Sequence, residues 1–153
     1  MAVTLPYFVL LVRVLAWSGP VDLSGDLAMV DLAVRNAAHF HQTLGAYDRF
    51  GWHHPGPAYF YLLAIPSWIL GAGGRSEVVG TVVINGACAL GVWWVVRRQT
   101  GTAASWWAAA CLGLLGMALT STGSTFATVQ EPLGILASPW NPYVVVMPLV
   151  LCT

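Results

Sequence analysis

Residues 78–96 form one stretch without a charged side chain, and this feature constrains the fold more than any other. Residues 102–120 form a second such stretch. A helix needs about 20 mostly apolar residues to cross the hydrocarbon core of a bilayer. The whole chain is 8% charged, whereas a typical soluble domain is about 25% charged. The sequence therefore predicts an integral membrane protein of the all-α class, with transmembrane helices at 78–96 and 102–120.

Three further apolar segments are shorter or interrupted. Residues 1–17 are expected to form the first transmembrane helix, with Arg13 near its end reaching toward the membrane interface. Residues 58–70 contain Pro66 and are too few to span, so we expect an interfacial or re-entrant helix. Residues 143–153 begin a fourth transmembrane helix, and the chain stops inside it. We therefore expect this sequence to be the N-terminal portion of a larger membrane protein.

The arginine distribution predicts a topology for these segments. Arg97 and Arg98 are the strongest cationic cluster, and the positive-inside rule places their short turn in the cytoplasm. Residues 18–77 and 121–142 then become two outer loops, provided that the short helix at 58–70 does not cross the membrane. The expected architecture is a multi-pass protein of the plasma membrane, with any functional site on the outer face.

The first outer loop contains a predicted surface helix over residues 26–44. Ser24 or Asp26 can cap its beginning, and Gly45 can end it. A polar and an apolar stripe run along this helix, which suits a position at the bilayer surface. The polar stripe comprises Asp31, Arg35, His39 and Gln42, and the apolar stripe comprises Leu27, Val30, Val34 and Ala38.

Two acids of this helix are candidates for chemistry. Asp26 is either an N-terminal acid that satisfies free backbone N–H groups or a general base at the boundary between water and lipid. Asp31 is either the partner of Arg35 in an ion pair four residues apart or a second acid that binds substrate. Five helical residues correspond to a rotation of about 140°, so the two acids do not share a face.

The segment 48–61, DRFGWHHPGPAYFY, is a second candidate region. Pro55 and Pro57 restrict the residues before them, which predicts a rigid loop leading into the helix at 58–70. The loop is either an aromatic anchor at the headgroup level or a site for a lipid phosphate and its sugar. The second outer loop adds another proline-flanked aromatic turn. The candidate substrate-binding residues of the two loops are Arg49, Trp52, His53, His54, Trp140 and Asn141.

Other compositional features narrow the possible functions. The formal net charge is zero, which gives no basic face for nucleic acid. The three cysteines lie inside apolar runs and show no metal-ligand spacing. His39 and His41 are two residues apart and would face apart on a helix, so we interpret them as surface residues. Glu131 is interpreted as a simple loop acid. No cofactor is expected. A divalent metal stays open as an alternative, but no residue pattern in the sequence supports it.

Three segments in order give the sequence a resemblance to a known family. They are SGDLAMVDLAVRNA, LGAYDRFGWHHPGPAYFYLLAIPSWILG and WNPYVVVMPL. The chain resembles the N-terminal part of an actinobacterial multi-spanning membrane protein related to the GT-C glycosyltransferases. That superfamily includes protein mannosyltransferases, aminoarabinose transferases and mycobacterial arabinosyltransferases. The turn at residues 54–57, His-Pro-Gly-Pro, is similar to the His-Pro-Pro turn of several relatives.

The resemblance implies a function and assigns roles to the candidate residues. A sugar would move from a polyprenyl-phosphate donor to a glycan or lipid acceptor of the cell envelope. Asp26 matches the catalytic acid of the first outer loop, and Asp31 stands where relatives carry a second acid. Arg49, His53 and His54 match the loop expected near the donor phosphate. The chain departs from the family in having few helices and no acidic metal motif in its second loop.

A rival interpretation makes the chain a non-catalytic membrane protein, either a transporter or an envelope-assembly subunit. The same aromatic loops would then hold membrane lipid or partner helices. Ionisable residues within a span would favour a transporter. Apart from Arg13, the predicted spans contain none, which favours the enzyme. A further alternative is an inactive fragment of the transferase.

Overall fold

The computed structural model describes residues 3–21, 25–48, 50–54, 56–121 and 137–139. These residues are mostly helical, so the all-α class is correct. Five helices and one small hairpin follow in chain order. They are α1 (Leu5–Ala16), α2 (Asp26–Ala38), β1 (Tyr47–Asp48), β2 (Trp52–His53), α3 (Ala58–Leu70), α4 (Gly74–Thr100) and α5 (Thr102–Ser121). Arg49, Trp140, Asn141 and the segments 122–136 and 140–153 lie outside the described residues.

Helix α4 is the long central element, and α1, α3 and α5 pack against it. Helix α1 also packs on α5, and α2 packs mainly on α3. One apolar core lies between α1, α4 and α5 and includes Leu10, Val14 and Val82. A second lies between α2 and α3 and includes Val34 and Leu63. The first half of α4 is therefore enclosed by protein.

The contact between α3 and α4 depends on a glycine. A Cβ added at Gly80 would lie 2.8 Å from Cδ2 of Leu63 and 3.2 Å from Cγ of Pro66. Leu63 is fully buried, so its side chain has little room to move away. The missing side chain at Gly80 thus sets how closely the two helices approach.

Helix α2 ends six residues before the position expected from the sequence, and the cause is a left-handed residue. Phe40 has a φ of 60°. Its N–H donates to the carbonyl of Ala37, and the N–H of His41 donates to the carbonyl of Asn36. This pair of bonds is a Schellman motif, which usually places glycine at the left-handed position. The Phe40 ring lies 6.1 Å from that of Tyr61 and 5.9 Å from that of Trp68, and these contacts offset part of the backbone strain.

Two other details of α2 differ from the expectation. Its N-cap is Gly25, with a φ of 59°, so Asp26 is the first residue of the helix rather than its cap. Val30 and Val34 of the apolar stripe are buried against α3, together with Ala37, which the predicted stripe does not include.

The segment before α3 contains a β-hairpin instead of an irregular loop. Its strands pair antiparallel, with Tyr47 opposite His53 and Asp48 opposite Trp52. The N–H of Gly51, whose φ is 88°, donates to the carbonyl of Asp48. An Asp48 carboxylate oxygen accepts the N–H of Phe50 at 2.9 Å. A three-residue connection with a left-handed glycine is a common hairpin solution, and aspartate stabilises such turns through its side chain.

One helix of the described chain, α4, is long and apolar enough to cross a membrane. It extends four residues beyond the expected span 78–96 at each end. The remaining apolar helices in the described ranges are shorter or described only in part.

Candidate functional site

A buried polar cluster lies where α2, α3 and α4 meet. We use this name for Asp31 and Arg35 of α2, Tyr59 of α3, and Glu77 and Thr81 of α4. Glu77 and Thr81 are fully buried. Arg35 Nε donates to Oδ2 of Asp31 at 2.8 Å, and the Asp31 side chain is 16% exposed. The ion pair expected four residues apart is therefore present, and it forms the outer edge of the cluster.

Glu77 is the unusual member of this cluster. It lies in the first turn of α4, one residue before the apolar span 78–96. Neither of its carboxylate oxygens has a hydrogen-bond partner among the described residues, and the same holds for Oδ1 of Asp31. Burial, and then the neighbouring Asp31 carboxylate, raise the pKa of Glu77 to about 8. A protonated Glu77 carboxyl group can donate a hydrogen bond to the neighbouring Asp31 carboxylate.

Tyr59 closes the side of the cluster formed by α3. Its hydroxyl donates to the carbonyl of Pro139 at 2.5 Å. Burial raises the pKa of the Tyr59 hydroxyl, the Thr81 hydroxyl lowers it, and the charge of Glu77 raises it again. The Thr81 hydroxyl also donates to the backbone carbonyl of Glu77 at 3.0 Å. Tyr59 is thus a protonated hydroxyl placed beside the carboxyl pair.

The cluster continues along α4 as a polar stripe. Glu77, Thr81 and Asn85 are each four residues apart and all fully buried. A spacing of four places side chains on one face of a helix. The stripe faces the protein interior.

The structure shows where the acids predicted from the sequence lie. Asp26 is exposed at the start of α2 and is not part of the cluster. Asp31 lies beside Glu77. Asp26 and Asp31 therefore lie on different faces of α2, as the expected rotation between them predicts. The cluster therefore contains one of the two predicted acids, and its other carboxyl group, Glu77, comes from a different helix.

The side chains of the predicted phosphate-binding loop contact other residues of the same segment. Nδ1 of His53 lies 3.1 Å from the Gly45 carbonyl, and its ring meets the edge of Tyr47. Nε2 of His54 lies 3.9 Å from a carboxylate oxygen of Asp48. The His54 ring lies 4.6 Å from that of Trp52, which is exposed. These contacts fix the hairpin, and none of them joins the polar cluster.

Close backbone contacts hold together the two ends of the segment that forms this hairpin. A Cβ added at Gly45 would collide with the backbone carbonyl of His54. The N–H of His54 donates to the Ala46 carbonyl at 2.8 Å. The base of the hairpin can therefore close only around glycine at position 45.

The sequence contains a signal for the polar stripe. The run after Glu77 is uncharged, but Thr81 and Asn85 interrupt its hydrophobicity at the helical repeat. Tyr59 belongs to the segment 48–61, which the sequence predicts to be an aromatic anchor or a lipid-phosphate site, whereas its hydroxyl is buried at a helix junction. Within the described ranges, no group of three or more His, Cys, Asp or Glu side chains is placed to hold a metal ion.

Comparison of this chain with protein-family models, curated proteins and solved structures found no match.

Proposed function

We propose that this chain is the front part of a membrane glycosyltransferase that acts on the outer face of the plasma membrane. Its donor would be a sugar on polyprenyl phosphate, and its acceptor a glycan or lipid of the cell envelope. The proposal rests on the resemblance of three sequence segments to GT-C transferases and on one structural observation. That observation is the Asp31–Glu77 pair, two carboxyl groups of unlike environment beside an apolar helix.

The unlike environments give the two carboxyl groups different chemical roles. Pairs of acids with separated pKa values commonly divide the work of proton acceptor and proton donor. Glu77 is buried and its pKa is raised to about 8, so it holds a proton at neutral pH. Asp31 is oriented by Arg35, which fixes one of its oxygens. A fixed, partly water-excluded carboxylate is suited to act as a general base.

The proposed reaction requires one proton transfer by the protein. The acceptor hydroxyl attacks the anomeric carbon, its proton passes to a carboxylate, and the bond to the phosphate breaks to release polyprenyl phosphate. The geometry favours Asp31 as this carboxylate, whereas the resemblance favours Asp26. The roles of Arg49, Trp52, His53, His54, Trp140 and Asn141 in holding the donor remain predictions from the resemblance.

The proposed topology keeps the arrangement expected from the sequence. Helix α4 crosses the membrane with α1 and α5 as the neighbouring spans, and the turn at Arg97 and Arg98 lies in the cytoplasm. The polar cluster then lies at the outer end of α4. Supporting this placement, the charged and aromatic turn and the polar cluster are at opposite ends of the same helix.

The same substitution at two positions of α2 tests the enzyme and its base together. Asp26→Asn and Asp31→Asn are each matched controls for the other, because both remove one carboxylate from one helix. We expect Asp31→Asn to lower turnover by about 10²–10⁴-fold, the usual contribution of a general base. The assay is sugar transfer by the full-length chain in membranes supplied with mannosyl- or arabinosyl-phosphopolyprenol.

Each outcome of this assay has a definite meaning. Loss of turnover in Asp26→Asn alone would assign the base to Asp26 and leave Asp31 as a binding residue. Unchanged turnover in both variants would refute the carboxylate mechanism. Absence of any transfer by the wild-type chain from both donors would refute the transferase assignment for those sugars.

A non-catalytic membrane protein is the second candidate, and the polar stripe favours it. Buried ionisable and polar residues in a membrane helix often mark a path for protons or ions. A transporter predicts that Glu77→Gln abolishes substrate-driven proton movement in proteoliposomes, and that Asp26→Asn leaves it intact. The transferase proposal predicts no proton movement in the wild type or in either variant.

A further inference from the structure

Two arginines and four tryptophans surround the turn between α4 and α5. We call this group the tryptophan–arginine collar. Three of its tryptophans are strongly exposed: Trp94 at 52%, Trp106 at 58% and Trp107 at 76%. Tryptophan is enriched at membrane interfaces because its ring is apolar while its N–H remains polar. The collar comprises Trp93, Trp94, Arg97, Arg98, Trp106 and Trp107.

The arginines fold back onto the tryptophans of the preceding helical turn. The guanidinium carbon of Arg97 lies 5.4 Å from the centre of the Trp93 ring. That of Arg98 lies 4.6 Å from the Trp94 ring. Side chains of a helix lean toward its N-terminus and meet the residue four positions earlier. Both positive charges are therefore held at the level of the aromatic rings.

The collar is a narrow band across two antiparallel helices. Helices α4 and α5 pack together and are joined at Gly101. At about 1.5 Å per residue, the four tryptophans lie between roughly 7 and 12 Å from this turn along the helix axes. The four residues thus lie within a band about 5 Å deep along the helix axes, which can sit where lipid headgroups meet the acyl chains.

The charge of the collar is not balanced by an acid within residues 78–121. Residues 78–121 contain no Asp or Glu, so α5 and the span of α4 contribute only Arg97 and Arg98 as charged side chains. The guanidinium fork binds phosphate oxygens in pairs, and stacking on a ring leaves its N–H edges available. The group therefore presents phosphate-binding edges between exposed rings.

We infer that the collar binds the phosphate headgroup of an anionic phospholipid, with the tryptophans packed around its glycerol and upper acyl chains. Charge complementarity selects this occupant over a zwitterionic lipid, whose positive headgroup would oppose the two guanidinium groups. The site lies at the far end of α4 from the polar cluster, and it does not depend on the transferase proposal.

Quenching of tryptophan fluorescence by brominated lipids tests the site. Four of the eight tryptophans of the chain lie in the collar, so a lipid bound there quenches a large share of the emission. The protein is placed in mixed phosphatidylcholine and phosphatidylglycerol vesicles in which one lipid carries bromine. One arginine near an anionic surface contributes about five-fold in relative affinity, which corresponds to about 1 kcal/mol. We expect a preference for phosphatidylglycerol of up to about 25-fold from the pair.

Four variants distinguish binding of lipid at the collar from a general attraction between the positively charged protein side chains and an anionic membrane. Arg98→Gln should reduce the preference by about five-fold, and Arg97→Gln/Arg98→Gln should remove it. Arg97→Lys/Arg98→Lys should retain part of it. Arg13→Gln, which removes one exposed charge from α1, should leave it unchanged. Equal quenching by both brominated lipids in the wild type would overturn the inference, as would an equal loss in Arg13→Gln. If the double glutamine variant does not fold, a wild-type preference that does not weaken between about 0.1 M and 1 M salt would overturn it instead.

Discussion

Replacing Glu77 with glutamine should remove most of the pH dependence of the free energy of unfolding between about pH 4.5 and 8. Glutamine has the size and shape of the protonated carboxyl group, and it cannot ionise. The pKa of Glu77 rises from its ordinary value of 4.5 to about 8, first through burial and then through Asp31. At 1.36 kcal/mol per pKa unit, this shift corresponds to an effect of roughly 5 kcal/mol.

The sign follows from which state binds the proton more tightly. The folded protein binds it more tightly than the unfolded chain, so the stabilisation is fully present below about pH 4.5. It is lost progressively as the pH rises, and the loss is complete above the folded pKa of about 8. The other ionisable groups facing Glu77 are Asp31 and Arg35 of α2 and Tyr59 of α3. Because Asp31 lies beside Glu77, the variant Asp31→Asn provides a second test of the raised pKa of Glu77.

The assay is denaturant unfolding of the purified protein in detergent at a series of pH values. Wild type and Glu77→Gln should have similar unfolding free energies near pH 5, and the variant should be several kcal/mol more stable above pH 8. Asp31→Asn should lower the pKa of Glu77 and so reduce the size of the wild-type decline. Parallel pH profiles for wild type and Glu77→Gln would show that Glu77 ionises normally in the folded protein, and would refute the buried cluster.

Two further predictions concern backbone positions. Gly80→Val should destabilise the protein by about 1–3 kcal/mol in the same unfolding assay, because its side chain must displace Leu63 and Pro66; unchanged stability would refute the close approach of α3 and α4. At Phe40, the glycine variant should be more stable than the alanine variant, which is the reverse of their usual order in a helix. Phe40→Ala loses the ring contacts and keeps the strained φ, so it should be less stable than Phe40→Gly by about 1 kcal/mol, whereas a more stable alanine variant would exclude the left-handed conformation.

The helical segments were predictable because their signals are local. Helix α3 has the bounds expected from the sequence, Ala58–Leu70, since proline precedes it and glycine follows it. The end of α2 was not predictable, because a phenylalanine takes the left-handed position that sequence rules assign to glycine. Contacts with Tyr61 and Trp68, which lie more than twenty residues along the chain, support that conformation. The hairpin was missed for a related reason, since its strands are only two residues long.

The candidate site was predictable only in part because it joins three helices. Asp31 and Arg35 could be paired from their spacing, which is a property of one helix. The proximity of Glu77 depends on how α2 lies against α3 and α4, and spacing along the chain carries no such information. The position of Tyr59 could not be predicted for the same reason. Its aromatic ring is typical of a membrane interface, whereas its hydroxyl is buried between helices. The helical repeat of Glu77, Thr81 and Asn85 was the sequence signal available for this face.

The order of elements along the chain has a consequence for biosynthesis. Helix α4 would be costly to insert into lipid alone, since its polar stripe would lose hydration without gaining partners. Helices α2 and α3, which supply Asp31 and Tyr59, precede α4 and leave the ribosome first. The groups that cover the stripe are therefore already synthesised when α4 emerges. A circular permutation that began the chain at α4 would place α2 and α3 after it, and the stripe would stay uncovered until those two helices emerged.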